Sequence, residues 1–194
     1  MSKLAVLFPG LGYTCERPLL YYGGKLAAEA GFTERHIIKY EKIDKTGLQG
    51  NKEKMLEVYN SLYQSTKKDL SEINWNEYDE ILFLSKSIGT AVAATIEKDL
   101  LGSPETKDLN IRQILFTPLE QTFIFHPKNA IGFIGTNDPW CDSSEVIRLA
   151  KEQNIPMSVY EGANHSLETG DALKDIENIK DVMNVVSGYL NIGR

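Results

Sequence analysis

The sequence predicts an α/β fold of three layers, a mostly parallel sheet of about six strands held between two layers of helices. Three observations predict it. Short apolar runs alternate with longer stretches of helical periodicity. The first run, Leu4 to Phe8, is continuous rather than alternating, as a strand buried on both faces is. The length, 194 residues, suits one core, so residues 1–194 are expected to form a single domain.

The strand candidates are Leu4 to Phe8, His36 to Ile43, Ile81 to Leu84, Ile111 to Phe116, Ala130 to Ile134 and Met157 to Tyr160. Turn formers or charged segments bound each run. Between them, Met55, Tyr59, Leu62, Tyr63, Leu70 and Ile73 recur three or four apart, which predicts a helix over Lys52 to Ile73. Leu173, Ile176, Val182, Met183, Val186 and Leu190 do the same over Asp171 to Leu190. Shorter helices are expected at Pro18 to Ala30, Ile88 to Leu101 and Ser143 to Gln153. A broken helix is expected near Glu120 to Phe125. Asp142, followed three residues on by Glu145, is the start signal of the helix at Ser143. The polar stretches Asp44 to Asn51 and Gly102 to Asn110 read as loops.

Composition narrows the function. Lys plus Arg is 21 and Asp plus Glu is 27, a formal charge of −6. An acidic chain argues against binding a phosphate backbone, so no nucleic-acid partner is expected. Two cysteines, Cys15 and Cys141, make neither a disulfide framework nor a four-cysteine metal site. The three histidines lack ligand spacing, so no metal is expected. No apolar run approaches the length of a membrane span. The expectation is a cytoplasmic protein without a membrane partner.

In an open parallel sheet, ligands bind at the carboxyl ends of the strands, and four such ends carry chemistry. After the third strand comes Ser85-Lys86-Ser87-Ile88-Gly89, a small-x-Ser-x-Gly turn leading into a helix of small residues. Such a turn lifts the Ser87 hydroxyl above the sheet and sets the Ile88 amide at a helix start, where it suits an oxyanion. The plain alternative is a serine N-cap. The steric expectation is that the residues two before and two after Ser87 approach each other, so both are small.

After the first strand comes Phe8-Pro9-Gly10-Leu11-Gly12-Tyr13. Its amides, Leu11 foremost and then Gly12, are the candidates for a second oxyanion donor. The rival readings are a plain turn and a dinucleotide loop. The third glycine of the dinucleotide fingerprint falls on Cys15. After the fifth strand, Asp138 precedes Pro139. Asp142 is occupied as a helix cap, and Asp138 is left for either an Asx turn or chemistry. After the sixth strand, His165 lies in a loop of small residues. Of the other histidines, His36 reads as a partly exposed edge residue and His126 as surface or pocket rim.

The order Ser87, Asp138, His165 decides between these readings. A serine hydroxyl needs a base to take its proton, and His165 supplies one. The imidazole needs a carboxylate on its other nitrogen, and Asp138 supplies that.

With these residues in hand, the chain resembles the α/β-hydrolase superfamily, in particular a small member without a lid, of the compact esterase or dienelactone-hydrolase-like branch. The resemblance runs from Leu4 to Leu190 and is carried by FPGLG, SKSIG, GTNDPW and GANHS. It implies hydrolysis of a small carboxylic ester or thioester without a cofactor, through Ser87, Asp138 and His165, with Leu11 and Ile88 as oxyanion donors. Since Leu4 already begins the strand before the FPGLG loop, the usual first two strands of the family are expected to be missing. The thirteen residues from Thr117 to Asn129 are too few for a helical cap. An open, shallow site is therefore expected, with Gly12, Tyr13, Leu119, Phe123 and Trp140 as substrate-binding residues.

Two departures stand out. Ser85 replaces the first glycine of the turn. Lys86 sits beside the nucleophile, where it either lies solvated on the surface, the reading favoured here, or biases the site toward anions and His165 toward a lower pKa. Phe123, Ile124 and Phe125 either cover the sheet edge or make a patch for a homodimer. The alternative function is a non-catalytic small-molecule-binding protein that keeps the fold.

Overall fold

The structure is a computed structural model and describes residues 2–41 and 43–191. Six strands, β1 (Lys3–Phe8), β2 (Glu34–Ile37), β3 (Glu80–Lys86), β4 (Ile111–Phe116), β5 (Ala130–Gly135) and β6 (Met157–Tyr160), form one sheet in the order β2-β1-β3-β4-β5-β6. Every pairing is parallel. The helices are α1 (Pro18–Glu29), α2 (Lys52–Asp69), α3 (Ile88–Gly102), α4 (Ser143–Glu152) and α5 (Ala172–Tyr189).

Period two in the strands divides the core. Leu82 and Leu84 face one layer, where Leu19 and Leu20 of α1 and Val182 and Val186 of α5 pack. Ile81 and Phe83 face the other, against Leu62 of α2 and Val92, Ala93 and Ile96 of α3. Val146 and Ala150 of α4 extend that second layer over Leu115 and Ile134. The central strands are buried on both faces, which is why their sequences are continuously apolar.

The helix starts follow local chemistry. Asn51, Asp142 and Asp171 each accept hydrogen bonds from the first backbone N–H groups of α2, α4 and α5. α1 has no such cap and begins on Pro18, whose missing N–H costs nothing there.

Two boundaries differ from the sequence expectation. The second strand lies at Glu34–Ile37, not His36–Ile43; Lys42, within that expected range, lies outside the described residues. The cause is the neighbour: Leu7 pairs with Ile37 near the end of β1, and one further bond, from Ile38 N–H to the Leu7 carbonyl, ends the ladder. The apolar residues beyond it, Ile38 and Tyr40, pack into the core without a strand partner. His36 is a partly exposed edge residue, as expected, 3.3 Å from Asp69. The helix expected to reach Ile73 stops at Asp69, and a 3-10 turn at Trp75–Glu77 follows. The broken helix near Glu120 is a 3-10 helix over Glu120–Phe125.

The chain goes from β1 outward to β2 and then returns to β3 on the other side of β1. That reversal opens a crevice between the carboxyl ends of β1 and β3, the place where such sheets hold ligands.

Candidate active site

Ser87 sits at the crevice. β3 ends at Lys86 and α3 starts at Ile88, so a single residue makes the turn, with φ 58 and ψ −131. An L residue in that region costs about 1–3 kcal/mol and is kept only where its surroundings over-determine it. They do so here. The Ser87 N–H donates to the Phe116 carbonyl at 3.0 Å, and the Ser87 carbonyl accepts from Thr90 N–H at 2.9 Å and Thr90 Oγ1 at 2.6 Å. Thr122 in turn shares a hydrogen with Thr90 at 2.6 Å.

Glycine at 89 answers a close approach from the end of β1. A Cβ on Gly89 would stand 2.6 Å from the Phe8 carbonyl and 2.5 Å from that of Pro9, so glycine lets α3 close against the end of β1. Ser85 is buried in the sheet and donates its hydroxyl to the Ile114 carbonyl at 3.2 Å. Its polar atom is satisfied, and the departure from glycine is absorbed.

The other two side chains arrive from β5 and β6. Gly135, the last residue of β5, has no room for a Cβ, which would overlap the Ala163 carbonyl. The Asn137 N–H donates to that same carbonyl at 3.0 Å, so the two loops are held backbone to backbone. Asn164 closes the histidine loop by accepting from Ser166 N–H at 2.7 Å and Glu168 N–H at 3.3 Å. Asp138 makes two contacts: Oδ1 accepts from Trp140 N–H at 2.9 Å in an Asx-type turn, and Oδ2 lies 2.6 Å from His165 Nδ1. His165 Nε2 lies 2.7 Å from Ser87 Oγ.

The tautomer follows from chemistry. A carboxylate only accepts, so Nδ1–H donates to Asp138, and Nε2 is left to accept the Ser87 hydroxyl hydrogen. Burial lowers the His165 pKa, the Lys86 charge lowers it further and Asp138 opposes both, leaving it at about 4. The imidazole is thus neutral near pH 7, as a base must be.

Lys86 is not a solvated surface lysine. It is fully buried, and its Nζ donates to Thr117 Oγ1 at 2.5 Å and lies 4.9 Å from the centre of the Tyr13 ring. Burial pushes its pKa down to about 7, against the pull of Asp138. Alternation along β3 was the signal available: Lys86 shares a face with Leu82 and Leu84, which point into the core.

Around Ser87 is a cavity of about 170 Å³ lined by Gly10 to Tyr13, Arg17, Lys86, Trp140, His165 and Ser166. Leu11, Gly12, Tyr13 and Trp140 all line this cavity, and the Trp140 ring is 6.0 Å from that of His165. Ile88 turns its side chain into the core, while its N–H is the first of α3 and has no intrahelical acceptor. Leu119 and Phe123 are corrections. Both are buried core residues, Leu119 beneath α3 and Phe123 against Leu115, because the 3-10 helix rolls its apolar side onto the sheet. Of the proposed dimer patch, only Ile124 is well exposed; Phe125 stacks on Tyr59.

Sequence reasoning missed Arg17, Ser166 and the loop at 43–51. That loop leans over the crevice: Gln49 Nε2 donates to the Pro139 carbonyl at 2.7 Å, and the Lys45 ammonium occupies the space beside Gly12. The Gly10–Tyr13 loop does not have the form of a dinucleotide loop. Gly10 and Tyr13 bond each other's backbone at 3.2 Å, and residues 14–17 separate the loop from α1. A pyrophosphate loop instead runs straight into its helix. A larger cavity, about 1080 Å³, lies at the opposite end of the sheet and includes His126 but no residue of the Ser87 site. Among the described residues no three His, Cys, Asp or Glu side chains converge to hold a metal ion.

No protein-family model and no curated protein matches the sequence. Solved structures do match. An α/β serine hydrolase homologue from Coxiella burnetii superposes with a TM-score of 0.61 at 14% identity, covering 99% of this chain and 85% of its own. An α/β serine hydrolase without a lid from Xanthomonas campestris gives 0.59 at 10%, covering 97% and 81%. The esterase Est1E from Butyrivibrio proteoclasticus, with bound ferulic acid, gives 0.63 at 10%, covering 97% and 88%. The chain has the α/β-hydrolase fold. Within that fold the crevice between β1 and β3 carries Ser87, and the ends of β5 and β6 bring Asp138 and His165 to it. Among the described residues, 117–129 hold only the short 3-10 helix and no helical cap.

Proposed function

We propose that the protein is a serine hydrolase that cleaves small or short-acyl carboxylic esters or thioesters through an acyl-enzyme on Ser87. One observation carries the reading: the unbroken hydrogen-bonded chain Ser87–His165–Asp138, at 2.7 and 2.6 Å, on a serine held at positive φ.

The chemistry follows atom by atom. Ser87 Oγ attacks the acyl carbon as His165 Nε2 takes its proton. Asp138, with its side chain wholly buried, steadies the imidazolium through Nδ1–H. The carbonyl oxygen becomes an oxyanion, for which the N–H groups of Ile88 and Leu11 are the proposed donors; each such donor contributes about 3–4 kcal/mol in comparable sites. The intermediate collapses, His165 returns the proton to the leaving oxygen or sulfur, and the alcohol or thiol departs. Water, deprotonated by the same imidazole, then hydrolyses the acyl-enzyme and frees Ser87. The small, open cavity of about 170 Å³ offers little surface to grip a long chain, which favours a short acyl group.

Fluorophosphonate labelling tests this. The folded protein is expected to gain one phosphonyl adduct, on Ser87, and Ser87→Ala is expected to gain none and to lose turnover of p-nitrophenyl acetate. Native protein that stays unlabelled overturns the proposal and favours the non-catalytic binding alternative.

A further inference from the structure

Three cations from three different elements surround the oxyanion loop. Lys86, at the end of β3, lies beneath the Tyr13 ring system at 4.9 Å from its centre. Arg17, just ahead of α1, has its guanidinium carbon 6.0 Å from the same centre and lines the cavity directly. Lys45, from the 43–51 loop, sets its ammonium beside Gly12 at the mouth. Arg17 and Lys45 are exposed, and among the described residues no ion pair engages either.

Facing them are few negative charges. None of the ten cavity-lining residues is a carboxylate. Asp138 is committed to His165 and to the Trp140 amide, and Asp44 to Thr46. Glu168 is near enough to raise the Tyr13 phenol but does not line the cavity. This concentration of positive charge occurs in a chain whose formal charge is −6. A buried lysine without a contacting carboxylate is expensive to fold, and such groups collect where function needs a field.

We infer that the ester this site prefers carries a second, free carboxylate on a short acyl chain, held at the rim by Arg17 and Lys45 and drawn in by the buried Lys86. The inference rests on the hydrolytic reading and adds its substrate class. Geometry assigns the roles. Arg17 is exposed at the cavity wall and can meet a carboxylate with two parallel N–H donors. Lys86 is fully buried behind Tyr13 and, in its protonated form, which burial confines to about pH 7 and below, acts through space with little water to screen it. The cavity of about 170 Å³ favours a four-carbon diacid half-ester over a long acyl chain.

The test compares ethyl hydrogen succinate with ethyl succinamate, an isosteric pair differing in the charge of the distal group, by proton release in a pH-stat. The intact protein should favour the anionic ester in kcat/KM by about tenfold at low salt, and the ratio should fall as salt rises. Arg17→Gln should lower that ratio at least about fivefold, and Lys45→Gln less, since Arg17 lines the cavity and Lys45 does not. A ratio near one, or one that Arg17→Gln leaves unchanged, overturns the inference while the hydrolytic reading stands. Neither ester turned over, with Ser87 still labelled by fluorophosphonate, overturns the inference alone. Neither turned over and Ser87 unlabelled overturns both.

Discussion

Replacing Lys86 by methionine isolates the electrostatics of the site, because Met keeps an unbranched chain of similar reach and removes the charge. Lys86 titrates at about 7 in the folded protein against 10.5 for an ordinary lysine. Between these values the unfolded chain holds a proton that the folded one has given up, so wild-type stability rises as pH climbs from about 7 to about 10.5. Below that window the whole cost of burying the charge is present, at most about 5 kcal/mol. Methionine gives up the bond to Thr117 and the contact with the Tyr13 ring, together about 2 kcal/mol. Lys86→Met should therefore be more stable than wild type by about 3 kcal/mol at about pH 6, and the advantage should vanish near pH 9 and become a deficit of about 1 kcal/mol by about pH 10. Urea unfolding followed by tryptophan fluorescence at these pH values measures it. The same substitution removes a charge that disfavours protonation of His165, so the acid limb of kcat/KM should move upward from about 4. A variant less stable than wild type at the lower pH, or an advantage that does not change with pH, refutes the reasoning.

Three further outcomes follow from the packing. Ser87→Gly removes the nucleophile but relieves the strain at φ 58, so turnover should be lost while the protein gains about 1 kcal/mol of stability, read by chemical denaturation. Gly135→Ala forces a methyl group into the Ala163 carbonyl and must part the loops that carry Asp138 and His165; a loss of kcat of at least about 100-fold with a folded circular-dichroism spectrum is expected, and unchanged kcat would contradict the placement. Phe123→Ala, at a position 2% exposed, should cost about 3–5 kcal/mol of stability and leave KM for a small ester unaltered, since Phe123 is core and not rim.

Much of the site was legible because its parts are local. A buried run followed by small-x-Ser-x-Gly and a helix of alanines points to one turn, and Ser87 occupies that turn. Asp138 and His165 follow their strands within a few residues, where parallel topology must gather them. Asp142 was recognised as a cap from its spacing to Glu145, and its side chain accepts from the amides of Ser144 and Glu145. The misplacements share a cause. Leu119 and Phe123 lie in a segment with no clear period, so the side facing the sheet was not readable. The second strand lies earlier than its apolar run because edge pairing depends on where β1 ends, not on where apolar residues continue.

Sequence alone determined the alternation of elements, the parallel sheet and the three residues that meet at its carboxyl edge, since period, turn chemistry and chain order are local properties. Only the tertiary structure decided the charge on that edge. Whether Lys86 is wet or buried, how close its ammonium comes to Tyr13, and that Arg17 and Lys45 flank the same loop depend on packing between segments far apart in the chain. Electrostatic energy varies with distance and with the exclusion of water, and neither is written in the order of residues.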